Sequence, residues 1–437
     1  MEKHILSKST FIKGYHCLKS LYLHKKRPFL RDRLTAEQRA KFKRGHQVGD
    51  LAQDLFPGGI DVSPKSPSQY QKSAARTEEL IAKGQDVIYE ATFQFDKVLV
   101  MLDLLVKTEN GWEAYEVKSS KSLSETYYTD AALQYYVIHN SGLKINKFFL
   151  VYVDENYRRQ DELDIEKYFI KQEVTDDLRS RQAFIGEKIQ EELKILKEKH
   201  SPKIAVGNHC FSPYKCDFVG FCWKKITEKP YLPKILNLKA ILPNHHLEST
   251  ALSFIFSEQA IPECKNEAAY FQKCIGFKIG DNEAEVSRKS CEDKKVFIRN
   301  FFSQIKDKKI FFTEDTQKMN HWLREISIQF PEYKEEALRL INETIGIIDS
   351  LEKAGQFGSK DKGLYTLAVL GKHILNSESL SKSAVYSDIL ATELFNKMEA
   401  NLWTDSSPDI EILQEYLHQK HQVSLGLLKI MSSIDTA

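Results

Sequence analysis

An α/β chain in two domains is what this 437-residue sequence predicts. Three observations predict it. The first half reads helix, three strands, helix, strand, and the strand patterns are short and apolar. The stretch "KPYLPKILN" at 229–237, with two prolines, has the composition of a linker. Beyond it, strand patterns ("ALSFIFS", "KIFFTE") mix with several long helical ones, which marks a second α/β unit. The domains are therefore read as 1–228 and 238–437, joined by 229–237.

Each element has a local cause. Residues 35–55 are helical in pattern, with Thr35 and Gln38 resembling a capping box and "PGG" at 57–59 as the stop. A second helix covers 68–83 and ends at Gly84. Extended segments follow at 86–95, 97–107 and 112–118; the middle one is rich in Val and Leu, and "ENG" at 109–111 is a hairpin turn. A helix over 126–141 stops at Gly142, and "KFFLVYV" at 147–153 is another apolar strand. Residues 174–199 read as one long charged amphipathic helix. No internal repeat and no long low-complexity tract interrupts the order.

Composition narrows the function classes. Hydrophobic residues at 42% and charged residues at 28% are those of a soluble globular protein. The N-terminus lacks a secretory apolar stretch, and the longest apolar run, "VLVMLDLLV", is broken by Asp103 and is too short to span a bilayer. A cytoplasmic protein with no membrane partner is expected. Net charge is only +2, yet residues 1–50 hold 13 Lys/Arg against 4 Asp/Glu, an excess suited to a phosphate backbone.

Chemistry concentrates in two places. Glu116 and Lys118 lie two apart on a predicted strand, so both side chains take one face, and Asp103 sits on the neighbouring strand of the same hairpin. Two carboxylates brought together repel unless a cation joins them. Oxygen ligands suit Mg²⁺ or Mn²⁺, which would activate water and stabilise charge on a phosphate. Lys118 would hold the attacking water or neutralise the oxyanion. The second place is "NHCFSPYKCDFVGFCW", with Cys210, Cys216 and Cys222 at even spacing, and a distant Cys17 in "FIKGYHCLKSLYL". In a reducing compartment such a cluster favours metal over disulfides. Cys-x5-Cys-x5-Cys is not a zinc-finger spacing, but four thiolates suit Zn²⁺ or a [4Fe–4S] cluster equally by chemistry. Cys264, Cys274 and Cys291 have no such pattern and read as ordinary.

The helix–strand–strand–strand–helix–strand order with Asp…Glu-x-Lys resembles the PD-(D/E)XK nucleases, and among them the RecB-like branch. The resemblance implies a restriction-endonuclease-like core in which Asp103 and Glu116 bind the metal and Lys118 is catalytic. It makes Gln134 in "DAALQYYV" the residue that orients the site, with Tyr135 or Tyr136 in place of the tyrosine that follows. Glu90 in "VIYEATF" resembles an acidic position on the first core strand and joins the metal set. The branch usually carries a metal-ligating His where "GHQVGDLA" has Gly49; His46 lies one turn earlier on a similar face. The one-before, three-after arrangement of Cys17 and Cys210, Cys216 and Cys222 resembles the iron–sulfur members of the branch, the AddB-like and CRISPR-adaptation exonucleases. It implies a structural [4Fe–4S] cluster that staples the domain.

The resemblance implies a metal-dependent deoxyribonuclease acting as an exonuclease on single-stranded DNA or duplex ends, in repair or anti-phage defence, alone or with protein partners. A second reading is a nucleic-acid-binding scaffold subunit with little activity of its own; a third is a zinc-stabilised protein with no nuclease role. The C-terminal unit resembles a degraded ribonuclease-H-like exonuclease domain of the DEDD type, or is an unrelated α/β domain. Ser253 and Ile255 stand where that type needs acids, Asp349 survives in "GIIDSL", and no acid follows Glu415 in the last helix. No Gly-x-x-x-x-Gly-Lys-Ser/Thr loop occurs, so ATP-driven unwinding belongs to another chain.

Overall fold

The chain is mixed α/β and divides into two units, Met1–Tyr157 with Glu162–Thr227, and Arg158–Asp161 with Glu228–Ala437. The structure, a computed structural model, describes residues 4–34, 36–211, 213–224, 250–258, 261–262, 265–269, 272–286, 291–306, 308, 311–355, 366–382, 384–385, 387–400 and 408–432. The linker pattern at 229–237, Cys264 and the Thr35 cap lie outside the described residues.

The first unit opens with β1 (Leu6–Ser7), α1 (Lys8–His16), α2 (Leu18–Lys26) and α3 (Ala36–Ala52). β2 (Ile60–Asp61) and α4 (Tyr70–Ala82) precede three antiparallel strands, β3 (Val87–Phe95), β4 (Val98–Thr108) and β5 (Gly111–Lys118). Next come α5 (Glu125–Asn140), β6 (Ile145–Val153), α6 (Ile165–Tyr168), β7 (Phe169–Glu173), α7 (Thr175–Ser180), α8 (Gln182–Lys197) and α9 (Val219–Cys222). The seven strands form one sheet in the order β2-β3-β4-β5-β6-β7, with β1 added to β4. β6 runs parallel to β5 across the α5 crossover.

β4 is apolar almost throughout because both of its faces are covered; Leu102, Leu104 and Leu105 are inaccessible to solvent. The β4–β5 turn places Gly111 at φ 119°, a conformation that glycine adopts without steric cost. α5 buries Ala131, Ala132, Leu133, Val137 and Ile138 against this sheet, and α8 closes over it with Ile185 and Ile189. Each such Leu or Ile contributes roughly 1.5–3 kcal/mol of burial. The predicted long helix over 174–199 is instead two helices, α7 and α8, that meet at Arg181. The Gln182 amide donates to the Leu178 carbonyl at 2.6 Å, taking an acceptor the helical ladder would have used.

One buried group strains this packing. Glu192 of α8 is inaccessible to solvent, lies against Gly14 of α1, and neither carboxylate oxygen has a hydrogen-bond partner. Burial pushes its carboxyl up to about 9. Between the unfolded value near 4.5 and that folded value, the native state keeps a proton that the unfolded chain has lost. Stability therefore falls as pH rises through this window. Glu192→Gln should stabilise the first unit by a few kcal/mol at pH 8 (roughly 1.4 kcal/mol per unit of pH above the unfolded pKa) and by almost nothing at pH 4. Urea unfolding at the two pH values checks this; equal effects at both would refute it.

The second unit contains β8 (Thr250–Glu258), β9 (Gln272–Ile279), β10 (Glu285–Val286), α10 (Cys291–Ile305), β11 (Phe311–Thr313), α11 (Thr316–Gln329), α12 (Lys334–Glu343) and β12 (Thr344–Gly346). It ends with α13 (Ile347–Lys353), α14 (Leu367–Ile374), α15 (Ser379–Lys382), α16 (Asp388–Ala400) and α17 (Pro408–Ser432). The sheet order is β10-β9-β8-β11-β12; β8, β9 and β10 are antiparallel, while β8, β11 and β12 are parallel. β8 alternates strictly. Leu252, Phe254 and Phe256 enter a core with Phe277, Phe301 and Trp322, and Ala251 and Ile255 enter another with Phe395 and Leu417.

Candidate functional site

Strand register builds the acid site. Tyr89 pairs with Leu104 and Ala91 with Leu102, so Glu90 stands opposite Asp103; Leu104 pairs with Tyr115, so the next position sets Asp103 opposite Glu116. Three acids thus form a row across β3, β4 and β5. Like charges directly opposite destabilise a sheet. Glu90 also holds a left-handed φ of 56°, a conformation that costs of order 1–3 kcal/mol for a side chain of this kind.

The electrostatics follow from that row. Burial, and then the Glu116 carboxylate, pushes Asp103 well above the usual carboxylate range. Burial also raises Glu90 to about 6, against the pull of Lys8 and with the push of Glu116. For Glu116, burial is outweighed by the Lys118 and Lys8 ammoniums, which hold its carboxyl well below the usual range. Asp103 is tied down by the Val117 N–H, which donates to its Oδ2 at 2.6 Å. Lys118 Nζ donates to Glu116 Oε1 at 2.7 Å and to Asp130 Oδ2 at 2.5 Å.

Two members were not found by sequence reading. Lys8 Nζ donates to the same Glu116 Oε1 at 2.6 Å and stands 4.0 Å from Asp130. It arrives there because β1 pairs with Val98 and Leu99, the part of β4 that β5 leaves uncovered, so α1 starts beside the far end of β5. Nothing local in the sequence marks that long-range pairing. Asp130 did leave a signal: it lies four residues before Gln134 on α5, which puts both on one helix face. Gln134 is wholly buried and neither of its amide atoms is hydrogen-bonded; Glu116 Oε2 and Asp130 Oδ1 are likewise unpartnered.

The other expected members stand apart. His46 is exposed on α3. Its neighbour Gly45 is the residue that approaches Ser119, with 4.0 Å from a Cβ built there to the Ser119 Oγ. Tyr135 accepts from Arg179 at 3.3 Å, and Tyr136 packs on Phe95 with ring centroids 6.0 Å apart.

The four cysteines, Cys17, Cys210, Cys216 and Cys222, border a common cavity, and none forms a disulfide. Cys17 is the extended residue between α1 and α2. Burial raises its thiol, and the N–H groups of Ser20 and Lys19 at the start of α2 pull it back. The Cys216 N–H donates to the Cys210 carbonyl at 2.8 Å, which folds the trio back on itself. Burial raises Cys222 as well. Among the described residues no three His, Cys, Asp or Glu side chains form a ready-made metal cage. The donor chemistry still fits two cations. A cavity with four free thiols suits a thiophilic metal or cluster. A row of repelling acids, with Glu116 Oε2 buried and unbonded and Asp130 Oδ1 likewise beside it, suits a hard cation.

In the second unit the acids that a ribonuclease-H-like site would need do not gather. The Ser253 hydroxyl is hydrogen-bonded to His421 Nδ1 at 3.1 Å, Asp349 accepts from Thr316, and exposed Glu415 accepts from Gln419 at 2.8 Å. A different cluster forms. The Lys420 ammonium of α17 donates to the Phe254 carbonyl at 2.7 Å and Asp388 Oδ1 at 2.8 Å, and stands 3.0 Å from Glu314 Oε2. Its three N–H bonds are thereby spent on three oxygens. Cys274 is a buried thiol on the Gly276 carbonyl at 3.3 Å, an ordinary core residue.

No family model matches the chain, and no curated protein matches it. Among solved structures, that of SSO0001 is similar over 52% of this chain and 89% of its own, at 13% identity and a TM-score of 0.24. Likeness at that level transfers neither fold nor function. No described helix is long and apolar enough to cross a membrane.

Proposed function

We propose that residues 1–228 form a divalent-cation-dependent DNA nuclease of the RecB-like PD-(D/E)XK type, an exonuclease of repair or anti-phage defence. In this reading Cys17, Cys210, Cys216 and Cys222 hold a structural [4Fe–4S] cluster. The observation that carries it is the row Glu90, Asp103 and Glu116 across three antiparallel strands, with Lys118 two residues beyond Glu116. A purely structural sheet gains nothing from three facing acids, one of them in a left-handed backbone.

Asp103, Glu116 and Glu90 would hold Mg²⁺ or Mn²⁺, which when bound supplies Lewis acidity toward a phosphate and an acidified water. The remaining roles belong to the chain. Lys118, fixed by Glu116 and Asp130, presents positive charge where a phosphorane oxygen would develop. Gln134 offers an amide with both atoms free of protein partners, able to orient a water or substrate oxygen. The thiolates would tie the N-terminal strap to a loop roughly 190 residues later, so that ligation energy becomes folding energy.

The second unit fits an inactive ribonuclease-H-like domain. What supports this is its strand order, third-second-first-fourth-fifth, with the first three antiparallel and the last two parallel. Lys420 supports the loss of activity, since a tethered ammonium already neutralises Asp388 and Glu314. A nucleic-acid-binding subunit that cuts only with a partner has one observation in its favour: Lys8 shares Glu116 with Lys118 and so competes with any cation for it.

Cleavage of end-labelled single- and double-stranded DNA by anaerobically purified protein, with Mg²⁺ or Mn²⁺ and with chelator, tests the reading. Metal-dependent release of nucleotides is expected, and none under any of these conditions rejects a nuclease that acts alone. Cys17→Ser should remove the absorbance near 400 nm and the bound iron, and lower the melting temperature of the first unit by roughly 10 °C. Stoichiometric zinc in the wild-type protein would replace the cluster assignment.

A further inference from the structure

We propose that Lys8 is a substrate-binding residue that holds Glu116 until a divalent cation takes that carboxylate, after which its ammonium binds the phosphate beside the cation. The unequal footing of two lysines on one oxygen points to it. Lys118 Nζ and Lys8 Nζ both donate to Glu116 Oε1, at 2.7 and 2.6 Å. Lys118 has a second anchor in Asp130 Oδ2 at 2.5 Å, whereas Lys8 stands 4.0 Å from that oxygen. The Lys118 side chain is 13% exposed and that of Lys8 31%. One ammonium is built into the site; the other sits at its mouth and, among the described residues, bonds Glu116 alone. One ammonium suffices to neutralise Glu116. The second on the same oxygen is surplus as a salt bridge, while Oε2 stays unpartnered.

Positive charges a few ångströms apart repel, and the more so where water is excluded. With a divalent cation on Glu116 and Asp103, the ammonium with the fewer bonds and the readier access to water is the one displaced, and that is Lys8. It does not go far. Lys8 is the first residue of α1, whose start is fixed by the pairing of Leu6 and Ser7 with β4 and by the Ser7 N–H, which donates to Thr10 Oγ1 at 2.7 Å. An ammonium tethered beside a bound cation faces whatever anion lies on that cation. For a nuclease this is a phosphodiester, and a charge-assisted bond to one of its oxygens replaces the bond given up by Glu116. Lys118, held by Asp130 as well, stays in place throughout.

This inference rests on the nuclease reading for its cation and its substrate, and its test separates the two. Acetylation of lysines by a water-soluble amine reagent, read by mass spectrometry on the full wild-type chain, is compared in chelator, in Mn²⁺, and in Mn²⁺ with a short DNA strand. Lys8 should react slowly in chelator, several-fold faster with Mn²⁺, and slowly again once the strand is added, while Lys118 stays slow in all three. Lys8→Met should bind Mn²⁺ roughly 10-fold or more tighter than wild type by calorimetry, because no charge-assisted bond has to be displaced. Salt at about 0.3 M in that measurement screens the long-range effect of the lost charge. A Lys8 rate that ignores Mn²⁺, a rate that stays high with the strand, or Mn²⁺ binding no tighter in Lys8→Met each overturns the inference. The labelling needs no variant, so the inference stays refutable even if Lys8→Met fails to fold. Mn²⁺ binding that Asp103→Asn abolishes, with Lys8 unmoved, retires the role of Lys8 alone. Lys8 released and protected again in a chain that never cuts retires the nuclease alone.

Discussion

Asp103→Asn should lower cation-dependent cleavage on the order of 10³-fold while leaving the first unit more stable than wild type. The two effects have one origin. Asp103 faces Glu116 on one side and Glu90 on the other, and burial raises the cost of its charge. An asparagine keeps the oxygen that accepts from Val117 N–H at 2.6 Å in the wild type, so the hairpin loses no hydrogen bond. It removes an ionisable group whose charge burial and the facing Glu116 oppose, and with it an anionic ligand for a cation. Relief of like-charge repulsion at close range is worth about 1 kcal/mol or more. A trade of stability for activity is expected wherever a site is held in an unfavourable arrangement by its surroundings. Single-turnover cleavage with Mn²⁺ and urea unfolding in chelator measure the pair of effects. Activity within tenfold of wild type would remove Asp103 from the chemistry, and a loss of stability would contradict the repulsion described above.

Lys420→Met should destabilise the second unit by about 3–5 kcal/mol. Methionine nearly matches the lysine stem in volume, so packing is retained and the charge is what disappears. Asp388 would keep the Tyr416 hydroxyl at 3.1 Å and the Phe256 N–H at 3.4 Å, but it and Glu314 would lose their shared ammonium, and the Phe254 carbonyl would lose the lysine that donates to it. Burial alone would raise Asp388, and it is Lys420, then Lys318, that holds its carboxyl low. Adding Asp388→Asn to Lys420→Met should recover a large part of the loss, because the pair forms one coupled unit. Hydrogen exchange in peptides from β8 and α17 reports on the second unit directly. A cost below 1 kcal/mol for the single change would show that the ammonium is not the centre of this cluster.

What could be read from the sequence was what depends on neighbours along the chain. Alternation and the Glu109–Gly111 turn placed β3, β4 and β5, and the two-residue period put Glu116 and Lys118 on one face. The cysteine trio was visible as a local density of thiols. What stayed hidden depends on distance. Lys8 enters the site only because Leu6 and Ser7 pair with residues some ninety positions away. The break at Arg181, where the Arg181 N–H and the Gln182 side chain both bond the Leu178 carbonyl, is a local change in the ladder that periodicity does not report. Lys420 sits in "HQKHQ", a polar stretch with the look of a solvated face, and its partners come from β8, α16 and the end of β11.

The separation of Cys17 from its three companions also bears on how the chain is made. Cys17 and β1 are synthesised before Val98 and Leu99, and well before Cys210 to Cys222. At about 5–20 residues per second the first thiol waits roughly 10–40 s for the others. Over that interval α1 has no acid row to lie against and the cavity has one wall. Until Cys222 has been synthesised the segment that carries Cys17 lacks both the strand and the thiols it packs against, and a product that stops short of Cys210 would keep a loose strap and a lone sulfur.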